Sequence, residues 1–249
     1  MRCSSRPRAC DARPRPSPWP GAAHATELEG TVRLTATRTL ADEWVAHQLA
    51  PLRMRHPRIT VELLTTDRNL SLARHEVDVA LRLARPAEGD LVIRRVATMA
   101  NAFYATTAQG TADRLERERQ FVAFGRDSTV PEAVWMREHV EGPVAFRSNS
   151  LVGQKSAALA GLGIALLPCY LGDREPGLRR LALDRPPPAR EIWLVVNRTH
   201  ARVPHIRAVA QALAEAFERC QLLFAGGLPI AGALIPEIAQ TPAAQMRCC

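Results

Sequence analysis

The alternation of apolar and polar positions from residue 31 to 37 sets the reading of this chain. Val32, Leu34 and Ala36 alternate with Arg33 and Thr35, a period of two, and residues 59–64 form a compact β-branched and apolar run. Both segments are predicted strands. Between them Leu40, Trp44, Val45, Leu49 and Leu52 recur at helical spacing, which gives one apolar face able to cover a sheet. Residues 30–67 therefore read as a strand, crossover helix and parallel strand, connected right-handedly.

The pattern continues in the same style. Residues 69–75 read as a short helix, 77–83 (VDVALRL) as a third strand, 86–90 as a turn and 91–106 as extended segments. A charge-laced helix over 111–120 is followed by strands at 121–124 and 144–146. The small-residue helix 151–160 stops at Gly161, and 164–167 is a buried strand ended by Pro168. Extended segments at 178–183 and 191–197 flank a proline-rich turn, 184–188. The last clear helix has Pro204 in its first turn and Val203, Ile206, Val209, Leu213 and Phe217 as its stripe. Residues 222–236 are uncharged and broken by Gly226, Gly227, Pro229 and Gly232, which is too short and interrupted for a membrane span of about 20 residues. They are expected to form a flexible tail or to be a frame-shifted end.

Composition narrows the function classes. The 249 residues are 47% hydrophobic, ample for a core, and carry a net charge of +8. Residues 1–25 alone hold Arg2, Arg6, Arg8, Arg13 and Arg15 against Asp11, half of that charge. This segment is Arg/Pro-rich and reads as disordered, or as the product of a misplaced start codon. Among the 33 basic residues all but Lys155 are arginine, which points to a GC-rich coding sequence rather than a phosphate-binding surface. Cys3, Cys10, Cys248 and Cys249 lie in the tails, only Cys169 and Cys220 fall in patterned sequence, and no C-x-x-C occurs. A reducing compartment follows. With no apolar run suited to a signal peptide, the expected location is cytoplasmic.

Catalytic signatures are missing. Gly161-Leu162-Gly163 lacks the third glycine of a dinucleotide fingerprint, and neither the phosphate loop nor the G-x-S-x-G elbow occurs. His75-Glu76 begins a metalloprotease-like string, but Val79 stands where the second histidine belongs. The expectation is no enzyme, no metal and no cofactor. What remains is a pair of polar strand-to-helix junctions. Thr37 and Thr39 stand at the first, Asn149 and Ser150 at the second, and Thr66 ends the second strand on the same side. In open α/β sheets ligands collect where helix N-termini converge at strand carboxyl ends, and neutral donors there suit a small carboxylate. Plain N-capping is the competing role for each of them.

In their order these segments resemble the effector-binding domain of LysR-type transcriptional regulators. Residues 28–34 (LEGTVRL) are similar to that family's domain start, 55–63 (RHPRITVEL) to its second strand, 77–82 (VDVALR) to its third and 160–168 (AGLGIALLP) to its most recognisable late phrase. The resemblance covers about residues 28–219. It implies an α/β fold of two Rossmann-like subdomains, as in type 2 periplasmic binding proteins, with a small-molecule effector in the cleft between them. The domain would span 27–220, with subdomain I at about 27–104 and 193–220, subdomain II at about 105–192, and tails at 1–26 and 221–249. Residues 103–106 and 192–197 would be the crossovers. Effector contacts carried over are Thr37, Thr39, Thr66, Asn149 and Ser150; Arg82 would take a carboxylate bidentately or form a surface ion pair, and Pro168 would be a wall. The resemblance implies a homodimer, no membrane partner, and DNA contact only through a winged helix-turn-helix that has no counterpart in these residues. A transporter's solute-binding protein on the same fold is the alternative.

Overall fold

In a computed structural model the described residues are 28–65, 76–87, 89–108, 118, 120–181 and 185–227. The expected helices at 69–75 and 111–120, the tail 1–26 and Thr66 lie outside them, residues 118 and 120 excepted. The chain enters on β1 (Glu29–Ala36) and turns through the short α1 (Arg38–Leu40) into a wider π turn, Ala41–Val45, and then α2 (Ala46–Arg55). Next come β2 (Arg58–Thr65), β3 (Val79–Arg82) and β4 (Leu91–Met99). A second series follows: β5 (Asn101–Thr106), β6 (Phe121–Ala123), α3 (Pro131–His139), β7 (Val144–Arg147), α4 (Leu151–Leu159), β8 (Ile164–Pro168), α5 (Cys169–Gly172) and β9 (Leu178–Leu181). The chain returns on β10 (Arg190–Asn197) and ends in α6 (Pro204–Arg219) and α7 (Gln221–Phe224).

These elements build an α/β molecule of two subdomains, each on its own five-stranded sheet, in the orders β2-β1-β3-β10-β4 and β7-β6-β8-β5-β9. In the first sheet β2, β1 and β3 run parallel and β10 runs against β3 and β4. In the second, β7, β6 and β8 run parallel and β5 runs against β8 and β9. The apolar side of β1 lies as expected, with Val32, Leu34 and Ala36 fully buried against the apolar stripe of α6, whose Val209, Leu213 and Phe217 are also inaccessible; Thr35, expected on the polar side, is fully buried as well.

The late phrase AGLGIALLP has a physical basis. Gly161 follows α4 at φ 74, where its N–H reaches Ala158 O and the Leu162 N–H reaches Ala157 O, a Schellman stop. Gly163 lies so close to β6 that a Cβ there would stand 2.8 Å from the Phe121 carbonyl carbon. The two glycines turn the helix and seat β8 against β6.

Two expectations need correction. The subdomains are not crossed at 103–106 and 192–197. Residues 103–106 already pair within the second sheet and 192–197 within the first. The first crossing is the single residue Ala100 between β4 and β5, and the second lies between Leu181 and Arg190. Nor does a flexible tail begin at 221. Phe224 is fully buried among Trp44, Phe217 and Tyr170, with ring centroids 5.1, 5.0 and 4.9 Å away. Its carbonyl accepts from Ala100 N at 2.8 Å, so the closing segment through Gly227 is packed onto the crossing.

Candidate functional site

The topology decides where a site can be. β4 runs with β1–β3 and ends at Met99, so Ala100 lies at the carboxyl edge of the first sheet. β5 runs against β8, with Asn101 beside Pro168, so the same crossing lies at the carboxyl edge of the second. Both parallel edges therefore meet at the crossing, the arrangement in which helix N-termini converge on a ligand.

On the first edge, Ala36 pairs with Thr65 and Thr35 with Ala80, so Thr37 and Arg82 follow at one level on neighbouring strands. Thr37 is extended (φ −61, ψ 143) and passes directly into the helical run; its carbonyl accepts from Ala41 N, and its side chain makes no capping bond. A helix start has no carbonyl one turn back for its first N–H groups, and an uncapped one leaves them open to an anion. Thr37 is half-buried and Thr39 buried. Arg82 is half-buried opposite Trp193 on β10, and burial lowers its pKa.

The second junction is organised differently. Ser148 N donates to Ala123 O, Ser148 Oγ accepts from Ser150 N, and Ser150 Oγ accepts from Gly153 N at 3.2 Å. Gln154 Nε2 closes the turn on Ser148 O at 2.8 Å. Ser150 is thus a working N-cap, while Asn149 is exposed. The cap's donors are satisfied internally, so the two junctions are not matched as their sequences suggest. Pro168 ends β8 as a buried residue at the crossing, and Asn101 Nδ2 ties the second passage by donating to Pro188 O at 2.7 Å.

Contacts that sequence reading missed join the two junctions. Lys155, in the second turn of α4, donates to Glu43 Oε2 at 3.1 Å, and Arg174 donates to the Glu43 carbonyl at 3.2 Å. Glu43 lies in the π turn just after Thr39, so the helices that follow the two junctions face each other across the subdomain boundary. Lys155 is only 15% exposed. Glu43 also adds to burial in raising the Tyr170 hydroxyl pKa. The signal in the sequence was Lys155 itself, the single lysine of the chain.

Behind the crossing is a second polar cluster. Tyr104 Oη donates to Asp173 Oδ1 at 2.6 Å, Arg180 pairs with Asp173, and Arg180 Nη1 donates to Gly226 O at 2.8 Å. Burial raises the pKa of the Tyr104 hydroxyl and of the neighbouring Cys169 thiol. For Arg180 burial acts downward, but Tyr104, Cys169 and Asp173 outweigh it and hold the guanidinium charged. This cluster links β9, α5 and the closing segment and touches no junction residue. Among the described residues no group of three His, Cys, Asp or Glu is placed to hold a metal, and no helix is long and apolar enough to cross a membrane.

Comparison with known proteins now bears on this geometry. The model of the LysR substrate binding domain matches residues 25–218. The Mau operon transcriptional activator of Paracoccus denitrificans is 32% identical over 178 residues, which are 70% of this chain and 59% of the activator. The chain therefore spans less than two thirds of that relative's length. Among solved structures, the regulatory domain of CrgA, a LysR-type transcriptional regulator from Neisseria meningitidis, superposes with a TM-score of 0.61 at 19% identity, covering 76% of this chain and all of that one. The Synechocystis PCC6803 CcmR regulatory domain in complex with 2-PG gives a TM-score of 0.59 at 21% identity over 76% of this chain and 98% of its own. At these identities the two structures speak for the fold.

Proposed function

The chain belongs to the LysR substrate-binding domain family, and from that premise we propose that it is the effector-sensing part of a transcriptional regulator. Its effector is a small carboxylate-bearing molecule held in the cleft between the two sheets. The family is one of regulators rather than enzymes, and a related domain of this fold holds a small ligand. The observation that carries the proposal is the uncapped helix start at Thr37, set at the carboxyl edge of one sheet and facing the helix that follows Ser150 on the other. The open N–H groups of that first helix start, with Arg82 at the same level on the neighbouring strand, favour an anion in the space between the edges.

On this reading the Arg38–Leu40 N–H groups and the Thr37 hydroxyl bind one carboxylate oxygen set, Thr39 and Arg82 flank it, and the Asn149–Ser150 turn approaches from the other side. The resemblance adds Thr66, which lies outside the described residues, to this set, and Pro168 walls the crossing. An effector that bridges the edges favours the closed arrangement by its differential affinity for the two states. The contact most exposed to that change is Lys155–Glu43. The closing motion is passed on through a homodimer, and DNA is read by a helix-turn-helix module outside the matched segment, which places the regulator with its operator in the cytoplasm.

Calorimetric titration with small mono- and dicarboxylates tests this directly. Thr37→Val and Thr39→Val each weaken binding of the effector found by about 1–3 kcal/mol, because a carboxylate loses a buried donor. Unchanged affinity in both variants contradicts the site.

A further inference from the structure

The second subdomain has a cavity of its own, on the face of its sheet that carries α3. It measures roughly 170 Å³ and lies between α3 and the edge strand β7. Its apolar walls come from Phe121 and Phe124 at β6, Met136 and Val140 at α3, and Val144 on β7. Phe121, Phe124 and Met136 belong to the buried core of this face, whereas Val144 is 37% exposed at the rim. The pocket is about half open to solvent, with an apolar floor and a polar mouth, and its volume is that of a single ring.

Arg137 and Arg147 complete the lining, and no acidic residue does. Both guanidinium groups are held by main-chain carbonyls: Arg137 Nη1 donates to Ser128 O at 2.8 Å, and Arg147 Nη1 to Phe124 O at 3.0 Å. Each keeps further N–H donors beyond that one nitrogen. Neither forms an ion pair with a carboxylate among the described residues. Two anchored, charge-unbalanced forks at the mouth of a ring-sized apolar pocket match a compact organic anion. Gly125 marks the opening: a Cβ built there meets nothing within 4 Å.

We propose that this cavity is a second small-molecule site, distinct from the cleft, for a single-ring monocarboxylate whose ring enters between α3 and β7 and whose carboxylate is taken by Arg137 and Arg147. Arg147 immediately precedes Ser148, whose N–H is tied to Ala123 O and whose Oγ holds Ser150 N. An occupant therefore pulls on the residue next to the second junction, and the site is placed to modulate the cleft.

The test is titration of the full chain with sodium benzoate and with its neutral isostere benzamide, read by calorimetry and amide chemical shifts. Benzoate binds saturably below about 10 mM, and benzamide binds roughly tenfold more weakly, the worth of one charge-assisted pairing. Arg137→Gln and Arg147→Gln, changes in exposed side chains, each weaken benzoate severalfold, and Gly125→Leu blocks the opening. Thr37→Val leaves benzoate binding at this site unchanged. The proposal is overturned if benzoate does not saturate, if benzamide or both arginine variants bind equally well, or if Thr37→Val removes the binding, which assigns it to the cleft.

Discussion

Glu43 shows how a single carboxylate joins two subdomains that the sequence keeps far apart. Its partner Lys155 lies 112 positions away, and both side chains are less than one-third exposed. A half-buried pair of this kind contributes more than a surface one but remains modest, so a cycle of Lys155→Met and Glu43→Gln in denaturant unfolding gives a coupling of about 1 kcal/mol. Additive single effects would show that the contact is incidental. The two junctions separate in the same way. Ser150→Ala removes a real cap and lowers stability by about 1 kcal/mol, whereas Ser150→Asp restores the cap. Because Asp also brings negative charge to the helix start, it keeps the melting temperature while weakening an anionic effector. Thr37→Val, where no capping bond exists, leaves stability within about 0.5 kcal/mol. Residue types at the junctions were legible from the chain, since Thr, Ser and Asn after an apolar strand mark a helix start. Which hydroxyl caps and which stands free was not, because that depends on side-chain rotamers. Lys155 stood out in the sequence only as a compositional oddity; its partner is set by tertiary packing.

At the level of elements, periodicity carried most of the fold. β1, α4 and α6 lie where the pattern puts them because each buries one side and leaves the other more open, and β8 because its unbroken apolar run is buried on both faces. The crossing at Ala100 was hidden inside one extended run, since strand alternation does not tell which sheet a strand joins. α7 was hidden by the uncharged, glycine-rich composition around it, although Phe224 is the keystone of the aromatic cluster with Trp44, Phe217 and Tyr170. Phe224→Ala should lower stability by about 3–5 kcal/mol, the cost of a fully buried ring, measured by urea unfolding. A change below 1 kcal/mol, the range of surface substitutions, would return the segment to the status of a tail. Arg180 anchors the same segment through Gly226 O, and Arg180→Met leaves Asp173 with its charge buried and unpaired. The expected loss is again about 3–5 kcal/mol.

For the whole molecule the central relation is between two sheets whose carboxyl edges meet at one crossing. Ala100 receives a hydrogen bond from Cys169 N and gives one to Phe224 O, so both subdomains and the closing segment are tied to a single residue. A relative motion of the subdomains must be taken up there and between Leu181 and Arg190, and the Lys155–Glu43 contact is the place where it is felt on the cleft side. The most direct measurement is an amide chemical-shift titration of the full chain with a panel of small carboxylates. The account predicts that one carboxylate perturbs the amides of Arg38–Leu40 and of Ser148–Ser150 together, along one binding curve, with the Lys155 ammonium signal shifting on the same curve. Perturbation of one junction without the other, or of neither by any carboxylate in the panel, would contradict it.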